Sequence, residues 1–157
     1  MCIVIDTNTL SNVFNPANIH HPDFKSVLDW IWNGPGFVVY GGSTYNKELR
    51  SARKYLPIFG ELEKKAKVAR VKDHLVDDHE KKVINLINDP RCDDAHLIAI
   101  FRVSGCRLLC STDKRADSYI KNPDYYLPGQ RPPSIYRNRG HRSLLSKQNI
   151  VNIQNRK

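Results

Sequence analysis

Two periods of apolar residues alternate along this chain, and the switches between them mark its elements. The first run, Ile3-Val4-Ile5, is continuous, β-branched and short, as in a strand buried on both faces. It ends on an acid, Asp6. The spacing then predicts a short helix over residues 9–14, which Asn15-Pro16 stops. Phe24, Val27, Leu28 and Ile31 recur at helical spacing over residues 23–32, and Gly34-Pro35-Gly36 closes that helix. Phe37-Val38-Val39-Tyr40 is a second buried strand. Gly41-Gly42 turns the chain tightly, Ser43 or Thr44 caps a helix running through Glu48, and Pro57 and Gly60 are expected to break that helix in two.

Residues 68–71 read as a short strand and residues 76–87 as an amphipathic helix with Val83, Ile84 and Ile87 on one face. Asp89-Pro90 closes it. Asp93 or Asp94 opens a third helix carrying Ala95, Ile98, Ala99, Phe101 and Arg102, with Gly105 as its stop. Residues 107–111 form the next strand, and Asp113 follows its end. Strands separated by helices in this order predict an α/β fold with a mainly parallel sheet and helical cover. From Pro123 the pattern changes. Pro123, Pro128, Pro132 and Pro133 interrupt regular structure, and a last apolar patch, Ile150-Val151-Asn152-Ile153, is expected to add an edge strand.

Length and charge narrow this picture. The chain has 157 residues, enough for one domain with a real core, and 40% hydrophobic residues, ordinary for a globular protein. No apolar run approaches the roughly 18 residues that span a bilayer, and the start lacks a basic region before its short apolar run. No membrane partner and a cytoplasmic location are expected. The four cysteines, Cys2, Cys92, Cys106 and Cys110, make no C-x-x-C pair, so a zinc cluster is not expected and reduced thiols fit the same location. The net charge is +9, and residues 121–157 hold eight Lys and Arg against one acid, Asp124. Such a segment attracts a polyphosphate backbone by counterion release, or simply aids solubility. Tyr119, Tyr125, Tyr126 and Tyr136 interleave with Lys121, Arg131, Arg137 and Arg139, a mixture suited to stacking and phosphate contact or to ordinary packing of the tail. Arg131, Arg137, Arg139 and Arg142 are the candidate RNA-binding cations.

Four acids share one topological context. Asp6 and Asp113 follow strand ends, Glu48 lies early in the helix after the second strand, and Asp94 lies in the first turn of a helix. In a parallel sheet the strand ends and the starts of following helices face one edge, where ligands bind. Carboxylates gathered there repel one another, and a hard divalent cation removes the conflict. Such a site can activate a water and stabilise the leaving oxygen in phosphodiester cleavage. Each acid also has a structural reading. Asp6, Asp93 and Asp94 suit helix caps, Asp113 suits a turn, and Asp117 is a surface acid one helical turn on. His20-His21 sits on a loop where adjacent rings point apart, His96 follows the acidic pair, and Trp30 and Trp32 are expected in the core.

These residues resemble the PIN domain, and most closely the small bacterial PIN ribonucleases of the VapC toxin type. Ile3-Val4-Ile5-Asp6-Thr7-Asn8-Thr9-Leu10-Ser11 is similar to the family's opening motif of an apolar strand followed by Asp-Thr-Asn. Asp94-Ala95-His96-Leu97-Ile98-Ala99-Ile100-Phe101 resembles its Asp-Ala-x-Ile-Ala-x-Ala motif, and Leu108-Leu109-Cys110-Ser111-Thr112-Asp113 resembles its strand ending in Thr-x-Asp or Thr-x-Asn. Val38-Val39-Tyr40 through Glu48-Leu49 resembles the second strand and acidic helix start. The resemblance implies a three-layer α/β/α sandwich and a PIN-like nuclease domain over residues 1–122, followed by a basic, Pro-containing extension over residues 123–157 partly packed on it.

It also implies Mg²⁺- or Mn²⁺-dependent cleavage of single-stranded RNA. By the motif match Asp6, Glu48, Asp94 and Asp113 are catalytic, and Asp6, Asp94 and Asp113 hold the metal. Asn8, Asp93, Ser111 and Asp117 are secondary candidates. Asp93 and Asp94 compete for one role, since the acid is doubled there. The partners to consider are single-stranded RNA, an antitoxin protein and a second copy of the chain, and RNA against DNA is left open. The competing expectation is a PIN-like RNA-binding or scaffold module without catalysis.

Overall fold

A computed structural model of the chain describes residues 1–146. Five strands, β1 (Cys2–Ile5), β2 (Phe37–Tyr40), β3 (Val68–Arg70), β4 (Leu108–Cys110) and β5 (Ser134–Tyr136), form one sheet in the order β3-β2-β1-β4-β5. Every pairing is parallel. Ile3 stands opposite Val38, Val4 opposite Leu109, and Leu109 opposite Ile135. β1 lies at the centre, and its four residues are fully buried, as an apolar run without alternation requires.

Among the described residues seven α-helices accompany the sheet: α1 (Leu10–Phe14), α2 (His21–Trp32), α3 (Ser43–Ser51), α4 (Leu56–Lys64), α5 (Asp73–Ile87), α6 (Ala95–Ser104) and α7 (Asp117–Ile120). The helices α1 and α2 lie in the β1–β2 crossover and pack on each other. The α5–α6 pair lies in the β3–β4 crossover, which returns across the sheet in the opposite direction. Right-handed crossovers running in opposite directions put their helices on opposite faces. The result is a three-layer α/β/α sandwich around a parallel sheet, as expected from the order of elements. Among the described residues no helix is long and apolar enough to cross a membrane.

Three local expectations need correction. Pro57 does not break a helix; it sits in the first turn of α4, where its missing N–H would have no intrahelical partner. Gly60 lies inside the same helix, and the break falls earlier, at Ala52. The fifth strand was not expected where it occurs. It is three residues long, directly after Pro132-Pro133, too short to carry a period. Tyr136 is its anchor: the ring is fully buried beside Phe24, and its hydroxyl donates to the Asp23 carbonyl at 2.7 Å. The edge strand expected at Ile150-Val151-Asn152-Ile153 lies outside the described residues.

Candidate functional site

The sheet order places a switch point between its two central neighbours. From β1 the chain departs toward β2 on one side, and from β4 toward β5 on the other. The crevice between such diverging connections, at the carboxyl ends of the strands, is where open α/β sheets accept ligands. Asp6 stands there. Its N–H continues the ladder to the Cys110 carbonyl at 3.0 Å, and its side chain is 2% exposed. The carboxylate accepts the Asn8 N–H at 3.2 Å and the Ser111 hydroxyl at 2.9 Å. Burial raises the Asp6 pKa above the ordinary carboxylate range, the Glu48 charge adds to the rise, and Ser111, Asn8 and His96 oppose it.

Asp94 is the second buried acid, 8% exposed, at the N-terminal boundary of α6. It makes no side-chain capping bond to the helix, so the cap reading does not account for its burial. Its pKa is pushed up to about 7, first by burial and then by the charges of Asp6 and Asp93. Asp93 itself is exposed. Of the doubled acids, Asp94 is therefore the buried one, and it lies near enough to Asp6 to feel its charge.

Glu48 reaches the same edge on α3, and the start of that helix is fixed by backbone geometry. Gly42 precedes it at φ +92°, and a Cβ there would stand 2.5 Å from Val76 Cγ1. Only glycine meets both conditions. Tyr45, fully buried, ties α3 to β1 by donating its hydroxyl to the Ile5 carbonyl at 2.6 Å. Glu48 Oε2 accepts the Thr7 hydroxyl at 2.7 Å and lies 3.3 Å from His96 Nε2. Burial would raise the Glu48 pKa, but His96 and Thr7 outweigh it and hold the carboxyl below its usual value. Burial would lower the His96 pKa, but Glu48, Asp94 and Glu80 outweigh it, so the imidazolium is favoured. The His96–Glu48 contact is an ion pair at poor hydrogen-bond angle, and the ring nitrogens find no well-aligned acceptor among the described residues.

The remaining candidates are placed differently. Asp113 caps the turn after β4 through the Arg115 N–H at 3.0 Å. Its two oxygens are also gripped by the Arg115 guanidinium at 3.1 Å each, and that pairing holds its pKa below the ordinary range. Its N–H donates to Ser111 Oγ at 3.2 Å, so Ser111 links Asp113 to Asp6 through its hydroxyl. Asp117 is ion-paired with Arg137 and with Lys121. Arg139 pairs with Asp23 at 3.0 Å, whereas Arg131 and Arg142 are exposed. Asn8 is exposed and lines a cavity of about 530 Å³ together with Thr7, Thr44, Lys47, Glu48, Ser51 and Ala52. Thr7 and Tyr45 were not singled out from the sequence; Thr7 differs from its neighbours only in directly following Asp6.

Among the described residues, no three His, Cys, Asp or Glu side chains converge as a ready-made metal-binding group. The donor chemistry of Asp6 and Asp94 nevertheless fits a hard cation. Two buried carboxylates that resist ionising together gain most from a positive charge between them, and Mg²⁺ is held by one or two carboxylates with waters completing its shell. Asp113 does not fit while Arg115 grips it. Comparison of the chain with protein-family models, with curated proteins and with solved structures found no match.

Proposed function

We propose that this chain is a divalent-metal-dependent endonuclease that cleaves single-stranded RNA at the edge occupied by Asp6 and Asp94. One observation carries the reading: two buried carboxylates at the topological switch point, one raised to a pKa of about 7 partly by the other's charge. Unneutralised acids of this kind are costly in a merely structural role. Mg²⁺ or Mn²⁺, when bound, would supply the charge that allows both to ionise and would activate water for attack on phosphorus.

The chain's own groups divide the remaining work. Ser111 and the Asn8 N–H orient Asp6. Thr7 and His96 converge on one oxygen of Glu48, leaving Oε1 without a donor among the described residues. That oxygen, on a side chain lining the cavity, is the candidate to orient a water or take its proton. Asp113 joins the group only by leaving Arg115. The resemblance to VapC-type toxins extends the proposal to a toxin silenced by an antitoxin protein, for which growth arrest on induced expression is the test.

A second reading, an RNA-binding module without catalysis, draws on the Asp113–Arg115 pair, which takes one of the three expected metal-holding acids for an ion pair. Cleavage of an end-labelled single strand with Mn²⁺ separates the two. The nuclease reading expects cuts that vanish with chelator and with Asp6→Asn. Salt-sensitive retention of intact RNA under every condition favours the module.

A further inference from the structure

The cavity beside Glu48 is lined from two elements. On α3, Thr44, Lys47, Glu48 and Ser51 recur at helical spacing on the face that lines it, with Thr7 and Asn8 from the β1 end opposite. Hydroxyls, an amide and one lysine therefore stand in the walls of an open trough whose one carboxylate is Glu48; the Thr44 hydroxyl donates to Glu80 at 2.8 Å and the Ser51 hydroxyl to the Lys47 carbonyl at 3.1 Å. Lys47 lines the trough, and Arg50 and Arg53 follow it in the chain at the end of α3, outside the lining; all three are exposed, and their side chains form no ion pair or hydrogen bond among the described residues. Lys54 differs, since its ammonium stands over the Tyr55 ring at 5.1 Å.

The tail cations are in another condition. Arg137 is bound to Asp117 and Arg139 to Asp23, so two of the four have already met carboxylates. The tail strand is also on the other side of the carboxylates. β1 and β4 separate β2, which leads into α3, from β5, a span of roughly 14 Å at the ordinary strand spacing.

We propose that the α3 trough is the entry path for the substrate strand, with Lys47, Arg50 and Arg53 holding its phosphates and the lining polar groups of Thr44, Ser51 and Asn8 meeting its sugars. The proposal rests on the nuclease reading of the neighbouring acids and names where their substrate lies. Unpaired cations beside a carboxylate site serve a polyanion in two ways. They lower its potential on approach, and they offset the repulsion from Asp6, Asp94 and Glu48 that a phosphate would otherwise meet. Free guanidinium groups also suit phosphate, because both oxygens can be met at once. Occupancy by an acidic polypeptide is the competing outcome.

The test is binding of fluorescein-labelled oligo(U) to the full chain in chelator, followed by anisotropy between about 50 and 200 mM salt, with the probe's integrity checked on a gel. A Lys47→Glu/Arg50→Glu/Arg53→Glu variant is compared with Arg131→Glu/Arg142→Glu. The first is expected to weaken binding about tenfold or more at the lowest salt and to flatten the log–log salt slope by about 2, or roughly 0.7 for each lost phosphate contact. The second is expected to stay within about twofold, since its cations belong to the tail, across β1 and β4 from α3. Equal weakening on oligo(dT) assigns the contacts to phosphates, and weakening on oligo(U) alone still places the strand in the trough.

The proposal is overturned if the tail variant loses as much as the α3 variant, if poly-glutamate displaces oligo(U) at equal charge concentration, or if wild type binds no oligonucleotide. Each variant's melting curve is measured alongside, and the neutral Lys47→Gln/Arg50→Gln pair repeats the comparison if charge reversal disturbs folding. Metal-dependent cleavage is read in a separate assay. Loss of cleavage with binding in the trough intact therefore overturns the catalytic reading and not this one.

Discussion

Ser111 donates its hydroxyl to Asp6 Oδ2 at 2.9 Å, joining the carboxyl ends of β1 and β4 across 105 residues of sequence. Ser111 Oγ also accepts the Asp113 N–H at 3.2 Å, so one small side chain sets both the orientation of Asp6 and the course of the chain beyond β4. Ser111→Ala removes that donor from a buried carboxylate. The expected outcome is a fall in Mn²⁺ affinity of about tenfold or more, as for other groups that orient a ligand, measured by isothermal titration. Ser111→Thr, which keeps the hydroxyl, is expected to recover much of the loss.

The raised pKa of Asp94 makes a pH prediction for the metal-free protein. A carboxyl whose pKa is higher when folded holds its proton more tightly in the folded state. Its stabilising contribution is complete below the unfolded value of 3.8 and is lost as pH rises toward about 7. Tm in chelator should therefore decline over this window beyond the trend of Asp94→Asn, which has no proton to lose there. A wild-type curve parallel to that of Asp94→Asn would show that the acid is not strained.

Glu48 and His96 titrate in the opposite sense to each other. Glu48 is held below 4.5 and His96 above 6.5, so their pairing stabilises the fold chiefly between those values and weakens on either side. His96→Leu leaves Glu48 with Thr7 alone. The acid limb of the cleavage profile should then move to higher pH, with the catalytic rate falling more than KM rises. His96→Gln, which keeps a donor, should lie between. An unchanged acid limb in both variants would remove Glu48 from the proton-transfer role.

The seating of α3 can be tested without reference to chemistry. Tyr45→Phe deprives the Ile5 carbonyl of a buried donor and should cost about 1–3 kcal/mol by urea denaturation. Gly42→Ala must adopt φ +92° against Val76 and should cost about 2 kcal/mol or more. If either substitution is neutral, the helix start is free to relax and Glu48 is not rigidly positioned by it.

The architecture was legible where apolar runs were long enough to carry a period. β1 and β2 are unbroken β-branched or aromatic runs, and α2 and α6 repeat apolar residues at helical spacing. β5 was not legible, because three residues after two prolines owe their pairing to Tyr136 filling a gap beside Phe24, a tertiary fact. Pro57 misled for a local reason: the same residue that ends a helix also begins one, and only the position of the break distinguishes them. At the candidate site, strand ends and helix starts located Asp6, Glu48 and Asp94. They did not reveal that Asp113 would turn to Arg115 two residues on, or that Arg137 and Arg139 would meet Asp117 and Asp23. Those pairings depend on side-chain direction, which spacing along a loop does not encode.

The release of Asp113 is testable through its partner. Arg115→Ala removes the guanidinium from both oxygens and leaves the carboxylate only the backbone N–H of residue 115. If Asp113 can then turn toward Asp6 and Asp94, Mn²⁺ affinity should rise severalfold by titration calorimetry. An unchanged affinity would leave Asp113 as a cap for the turn after β4.

Direct Mn²⁺ binding to wild type, Asp6→Asn, Asp94→Asn and the double variant, followed by electron paramagnetic resonance at pH 8, bears on the Asp6–Asp94 pair most closely. The expected result is a bound ion in wild type, weakened binding in either single variant and none in the double variant at the same concentrations. Equal Mn²⁺ binding by wild type and the double variant would contradict a cation site between these two acids.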